Sequence, residues 1–255
     1  MMRIAGIQHD IAWENRDANF ERLRPLIYEA AESHPDLVIL TELFSTGFSM
    51  NTEMIGESYE GPSASFLVDE AEKIGIPICG SIPLKGIDQT KPHNCLFVAH
   101  PDKRVDCYSK KHLFSFAEEH KHYRSGDKPL RIDLNGVSIS FFICFDLRFA
   151  PDFWELAPTT DLYVVIANWP EARSHHWKSL LVARAIENQA YVMGVNRVGV
   201  GNGLDYSGDS RLIGPLGEEI IVANPNEIEI LIGEVDPHIV SEVRKEYPFL
   251  SDRLK

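Results

Sequence analysis

Hydrophobic positions along this chain of 255 residues follow two periods. Side chains alternate over Arg3–Ile11, Asp36–Leu40 is a short apolar run, and these segments together with Pro77–Leu84, His93–His100 and Arg104–Ser109 read as strands. From Gly136 the pattern continues, with Val137, Ile139, Phe141 and Ile143 alternating with Ser138, Ser140 and Phe142. Asp161–Ala167, Tyr191–Asn196 and Ile228–Val235 read as further strands, and Ile213–Val222, with its Pro–Leu–Gly turn, reads as a hairpin. Helical spacing marks Asn15–Ser33, where Phe20, Leu23, Ile27 and Ala30 share a face, and also Pro62–Gly75 and Ser174–Gln189. Pro151 and Asp152 open another helix at Phe153. The tail, Ile239–Lys255, reads as partly helical, with Asp252–Lys255 as a solvated end. Helices alternate with strands early, but strand follows strand in the middle. That order predicts an α/β fold of mixed sheets with helices on their outer faces. No repeat or linker interrupts it, so one domain over 1–255 is expected.

Composition narrows the function. Hydrophobic residues make up 44% of the chain, enough for a substantial core, and the formal net charge is −13. An acidic surface argues against nucleic acid and anionic membranes as partners. It also requires a local cationic pocket for any anionic substrate. No apolar run is long enough to span a bilayer, and the opening MMRIAGIQHDIAW has no apolar leader core. The four cysteines, Cys79, Cys95, Cys107 and Cys144, have no close spacing and read as reduced thiols of a cytoplasmic protein.

Three strands run straight into reactive polar residues: Glu42 after DLVIL, Lys110 after RVDCYS, and Cys144 after SISFFI. A thiol there can be a core filler or a nucleophile. Asp146, Arg148 and Asp152 crowd the same strand end, which a core position would not need. A carboxylate can move the thiol proton, and a lysine can stabilise an oxyanion. Each residue also has a plainer reading: Glu42 as a helix cap or surface charge, Lys110 as one of a solvated pair. Cys79, Cys95 and Cys107 lie inside strands and read as core fillers. The histidines His112, His120, His122, His175 and His176 match no zinc spacing, so no metal or other cofactor is expected. His112 is read as orienting the neighbouring strand end. GVGNG, residues 199–203, lacks a phosphate-loop ending and reads as a mobile turn.

Three segments resemble the signatures of the nitrilase superfamily of carbon–nitrogen hydrolases: TELFSTGF at Thr41–Phe48, YSKKHLF at Tyr108–Phe114 and ICFDLRF at Ile143–Phe149. The likeness extends through ANWPEARSHHW at Ala167–Trp177, ARAIENQAYVMGVNRVG at Ala183–Gly199 and DYSGDSRLIGPLG at Asp205–Gly217. The resemblance implies an α-β-β-α four-layer sandwich. It places the catalytic glutamate, lysine and cysteine at Glu42, Lys110 and Cys144. It adds a second glutamate from EHKHY, Glu119, with Glu118 as the alternative register. It also implies an oxyanion donor at the backbone of Phe145 and a homodimer formed through the C-terminal region. Many relatives carry proline directly after DLRF, where this chain has Ala150 before Pro151.

The ANWPEAR and EHKHY stretches resemble the omega-amidase branch most. That implies hydrolysis of the terminal amide of small 2-oxo acid monoamides, such as 2-oxoglutaramate, with water and no cofactor. A distal carboxylate on such a substrate calls for a guanidinium. Arg173 is the preferred candidate, Arg148 the alternative, and Phe116 and Trp169 are expected as apolar walls. Either arginine could instead serve structure through a carboxylate such as Asp146. The rival readings are another amidase or carbamoylase of the superfamily, a silent binding protein of the same fold, or a metal hydrolase.

Overall fold

The computed structural model describes residues 1–86 and 91–253. The first half runs β1 (Met2–Gln8), α1 (Arg16–Ala31), β2 (Leu37–Ile39), α2 (Thr52–Ile55), α3 (Pro62–Ile74), β3 (Ile78–Leu84), β4 (His93–Ala99) and β5 (Val105–Ser109). A short helix, α4 (Glu119–His122), leads to β6 (Arg131–Leu134), β7 (Val137–Ile143), α5 (Ala150–Leu156), β8 (Leu162–Ala167), α6 (Ser174–Asn188) and β9 (Tyr191–Asn196). The chain closes with β10 (Val198–Gly201), β11 (Leu204–Ser207), β12 (Arg211–Ile213), β13 (Glu219–Val222), β14 (Glu229–Val235) and α7 (Pro237–Glu246). Two six-stranded sheets result, ordered β14-β1-β2-β3-β4-β5 and β13-β12-β9-β8-β7-β6. Both mix parallel and antiparallel neighbours, as the order of elements predicts.

Side-chain alternation builds the four layers. On β7, Val137, Ile139, Phe141 and Ile143 enter a core between the two sheets, while Phe142 faces the helices outside. On β2, Leu37 and Ile39 join the same central core, whereas Val38 packs with α1 and α3. On β8, Leu162, Val164 and Ile166 point inward, and Tyr163, Val165 and Ala167 point towards α5 and α6. A strand covered on both faces is apolar at nearly every position. The α-β-β-α sandwich expected from the sequence is therefore present. Helix α3 ends as its sequence suggests, at Gly75 in the left-handed region (φ 70°).

Strand direction gathers the reactive residues. β2 is parallel to β3, and β5 lies two antiparallel steps beyond β3, so β2 and β5 run the same way. Glu42 and Lys110 consequently leave one sheet from the same edge. β7, β8 and β9 are parallel in the other sheet and release Cys144, Asn168 and Arg197 together.

Several local expectations are corrected. In the segment 199–203, residues 199–201 belong to β10, and only Asn202 (φ 49°) and Gly203 (φ 75°) form the bend of the β10–β11 hairpin. Two positive φ values in sequence match the turn that suits strand twist, and Asn–Gly is its usual dipeptide. Cys107 is exposed, because β5 is an edge strand, whereas Cys79 and Cys95 are buried as expected. Between β5 and β6 the chain forms a 3-10 turn at Ser115–Ala117 before α4. The helix expected from Phe153 begins earlier, at Ala150. The tail packs on its own chain: Val240 and Val243 are buried, and Arg244 donates to the carbonyls of Thr160 (2.6 Å) and Gln189 (3.2 Å). Leu254 and Lys255, the end of the expected solvated tail, lie outside the described residues.

Gly194 shows how closely α6 lies on its sheet. A Cβ there would sit 2.5 Å from Leu181 and 2.8 Å from the Trp177 ring. Gly194→Val should therefore destabilise the protein by about 1–3 kcal/mol through overpacking. Chemical denaturation would measure it, and an unchanged unfolding midpoint would show that α6 can yield.

Candidate active site

Glu42, Lys110 and Glu119 form one buried cluster, all with side chains at 0% exposure. The Lys110 Nζ lies 2.9 Å from Glu42 Oε1 and 3.1 Å from Glu119 Oε1. Each carboxylate has further donors. Asn94 Nδ2 donates to Glu42 Oε1 at 2.8 Å, the Asn168 backbone N–H donates to Glu42 Oε2 at 2.8 Å, and the Phe114 N–H donates to Glu119 Oε2 at 2.6 Å. The ring of Phe48 lies 4.9 Å from the ammonium. Buried charges persist only with this degree of pairing. Burial alone would discharge Lys110, but the Glu119 and Glu42 carboxylates more than offset it and hold the lysine well above its ordinary range. Burial also raises Glu119, against the pull of Lys110.

Cys144 meets this cluster from the other sheet. It begins a 3-10 turn, Cys144–Arg148, directly after β7, and takes a positive φ of 46°. A non-glycine residue in that region stays there only if its surroundings hold it. Asp146 does so. Its Oδ2 accepts from the Ile143 N–H at 3.0 Å and from the Tyr108 hydroxyl at 2.7 Å, and its Oδ1 accepts from the His112 N–H at 2.8 Å. One carboxylate thus ties the end of β7 to the end of β5 across the two sheets. Burial, and after it the Glu42 carboxylate, push the Cys144 thiol well above the ordinary thiol range. The resting sulfur is a protonated thiol.

The cleft over Cys144 is mostly apolar and encloses about 460 Å³, counting its open mouth. Phe48, Phe114, Phe145, Trp169 and Tyr206 line it, together with Arg148 and Arg173. The stretch carrying Trp169 is fixed by Asn196, whose Oδ1 accepts from the Trp169 N–H at 2.7 Å. Arg148 stacks on Trp169 at 4.9 Å and donates to His176 Nδ1 at 3.0 Å, and Arg173 stacks on Phe114 at 5.5 Å. Neither guanidinium pairs with a carboxylate among the described residues. Burial and the nearby Arg173 hold Arg148 below the ordinary guanidinium range.

The structure brings most of the residues named from the sequence together and leaves some apart. Glu42, Lys110, Glu119, Cys144, Phe145, Arg148, Arg173 and Trp169 all converge on the cleft or on the cluster beneath it. Phe116 does not: it is 86% exposed on the 3-10 turn, and Phe114, two residues earlier, forms the wall instead. Glu118 lies outside, pairing with Lys121. Lys111 also points away, towards Asp152, and His112 pairs with that same carboxylate. Asp146 serves the strand ends and not an arginine, contrary to the alternative reading of the arginines. Sequence reasoning missed Asn94, Asn168 and Tyr206. Asn168 and Tyr206 had a visible signal, the first ending a buried strand and the second following the Asn–Gly hairpin turn. Asn94 had none, because an asparagine inside a strand looks like any polar position.

The family model for carbon-nitrogen hydrolases matches residues 3–245. The chain is 34% identical over 252 residues to the omega-amidase YafV of Escherichia coli K12, covering 98% of this chain and 96% of that one. It is 31% identical over 255 residues to the 2-oxoglutaramate amidase of Bacillus subtilis, with the same coverage of 98% and 96%. A solved structure of a CN-hydrolase superfamily protein from Xanthomonas campestris, carrying an arsenic adduct in its active site, superposes with a TM-score of 0.92 at 34% identity, covering 100% of this chain and 97% of that one. The chain is thus a hydrolase of amide carbon–nitrogen bonds that belongs to the carbon-nitrogen hydrolase family of the nitrilase superfamily, on its omega-amidase branch.

Proposed function

We propose that the protein releases ammonia from the terminal amide of small 2-oxo acid monoamides, with Cys144 as nucleophile. The observation that carries this reading is the meeting of Cys144 with the buried Glu42–Lys110–Glu119 cluster under a cleft whose only described cations, Arg148 and Arg173, have no carboxylate partner. In a chain of net charge −13, two unpaired guanidiniums at one cleft favour an acid-bearing substrate. The names of the Escherichia coli and Bacillus subtilis relatives support the same substrate class.

Glu42 takes the Cys144 proton as sulfur attacks the amide carbonyl. Lys110 and the Phe145 N–H, at the start of its 3-10 turn, hold the oxyanion. Glu42 then passes a proton to the departing nitrogen, so the carbon–nitrogen bond breaks, ammonia leaves and a thioester remains. Water, activated by Glu42 and positioned with Glu119, cleaves the thioester to the acid and restores the thiol. Glu119 also holds Lys110 from the side opposite Glu42. The acid–base and oxyanion roles all fall to groups of this chain, so activity is expected to survive chelation. Residues 1–255 act as one catalytic domain, working as a cytoplasmic homodimer that uses its C-terminal region.

Ammonia release across a panel of short acid-bearing monoamides, neutral amides, carbamoyl compounds and nitriles tests the reading. Acid monoamides should be preferred and nitriles poor. Arg173→Ala should raise KM about ten- to a hundredfold for the acids and little for neutral amides, as expected for a lost charge-assisted pair. Equal losses on both would make Arg173 structural.

The two adjacent lysines should separate cleanly. Lys110→Ala should lower kcat at least about a hundredfold. It should also cost stability, because two buried carboxylates lose their cation. Lys111→Ala should remain within about a few-fold of wild type. A dead Lys111→Ala enzyme would place the wrong lysine in the site.

The raised Cys144 thiol makes a pH prediction. Its thiolate fraction should be small at neutral pH and grow about tenfold per pH unit through and beyond the ordinary thiol range. Iodoacetamide labelling of the free enzyme, corrected with Cys144→Ala, should follow that rise. A plateau below pH 8 would mean a preformed thiolate and would remove the need for Glu42 as base.

A further inference from the structure

The hairpin β10–β11 has no part in the chemistry described so far, yet it forms one wall of the cleft. Leu204 and Tyr206, two residues apart on β11, both reach the cavity above Cys144. Tyr206 is only 3% exposed, and its hydroxyl makes no hydrogen bond to any described residue. The ring is buried, but the hydroxyl oxygen is not sealed off. A tyrosine hydroxyl without a protein partner on a substrate cleft is free to donate to a ligand oxygen. Burial pushes this phenol up to about 12, so it keeps its proton at neutral pH and can donate. Arg173 lines the same cavity.

The ring is held from behind. The Arg197 guanidinium lies 4.5 Å from the Tyr206 ring centroid and is itself wholly buried. It pairs with Asp10 at 3.0 Å and donates to the carbonyls of Ile11 at 3.1 Å, Val198 at 3.1 Å and Val200 at 3.2 Å. Asp10 and Ile11 follow β1, whereas Val198 and Val200 belong to β10. A single side chain therefore pins the hairpin to the first sheet. Gly201 permits the approach: a Cβ there would stand 2.6 Å from Arg197 Nη1.

We infer that Tyr206 is a specificity-determining residue whose hydroxyl donates a hydrogen bond to an oxygen of the substrate's distal acid, and that Arg197 is the positioning residue that fixes its ring on the cleft wall. The inference rests on the proposal that substrates carry such an acid.

The test is steady-state kinetics on a short monoamide with a free distal carboxylate and on its neutral methyl ester. Wild type, Tyr206→Phe, Arg197→Met, Arg197→Lys and the Tyr206→Phe/Arg197→Met pair are compared. Tyr206→Phe should raise KM for the acid by about ten- to a hundredfold and alter the ester by no more than about twofold, with unchanged thermal melting. Arg197→Met should show the same selective loss. In the double variant the selectivity should fall no further than in Tyr206→Phe alone, because both changes remove one interaction. Arg197→Lys, which keeps the cation, should restore part of the preference, and it replaces Arg197→Met if that variant does not fold. Equal losses on acid and ester, or none, would overturn the assignment of Tyr206. Melting lowered in Arg197→Met and Arg197→Lys with acid preference intact would make Arg197 merely structural. If wild type shows no preference for the acid, the substrate proposal fails and takes this inference with it. If wild type prefers the acid and Tyr206→Phe keeps that preference, only the present inference fails.

Discussion

A single ammonium buried between two carboxylates sets the geometry of this protein's functional centre. Lys110 can remain charged out of water only because Glu42 and Glu119 flank it at 2.9 and 3.1 Å. Those carboxylates in turn remain buried only because of Lys110, Asn94, and the backbone N–H groups of Asn168 and Phe114. The donors come from β4, from the end of β8 and from the loop after β5. The cluster therefore couples both sheets and the polar loop, and displacing any one element would strand a charge. Preorganisation of this kind is useful in acyl transfer, because dipoles and charges already in place need not reorganise as an oxyanion forms.

The same constraint governs the thiol. A carboxylate beside a buried sulfur makes the thiolate unfavourable, so Cys144 rests with its proton on. A site of this type differs from one that lowers a thiol pKa with a nearby cation and no competing carboxylate. Here Lys110 is already committed to two carboxylates, and its charge does little to stabilise a resting anion. In the mechanism proposed above, proton transfer accompanies the attack. The left-handed turn at Cys144, held by Asp146, fixes the sulfur between this cluster and the apolar cleft.

Above the cluster, the balance of charge reverses. The chain is acidic overall, but the cleft presents Arg148 and Arg173 on aromatic faces. Aromatic stacking holds a guanidinium in place without neutralising it, which leaves its donors for a ligand. Burial, and after it the nearby Arg173, hold Arg148 below the ordinary guanidinium range. An incoming anion would relieve the repulsion between the two.

The sequence by itself determined a good deal. The apolar runs in DLVIL and DLYVVIA marked strands covered on both faces, because such strands are apolar at nearly every position. The strand ends marked Glu42, Lys110 and Cys144 as candidates, because polar residues abruptly follow buried strands there, and the resemblance to the nitrilase superfamily singled them out as a set. Neighbours on a strand face opposite ways, and in the structure Lys110 enters the cluster while Lys111 turns to Asp152. The tertiary structure decided what depends on distance between segments remote in sequence. That Asn94 supports Glu42 across 52 positions, or that Asp146 binds Tyr108 across 38, leaves no local trace in either segment. The choice of Phe114 over Phe116 turned on one 3-10 turn, which local propensity cannot orient. Cys107 looked like a core residue until β5 proved to be an edge. Arg197, buried at the end of β9, joins Asp10 to the hairpin that carries Tyr206 across 187 positions. Periodicity reports which face of an element is buried; only packing decides what it is buried against.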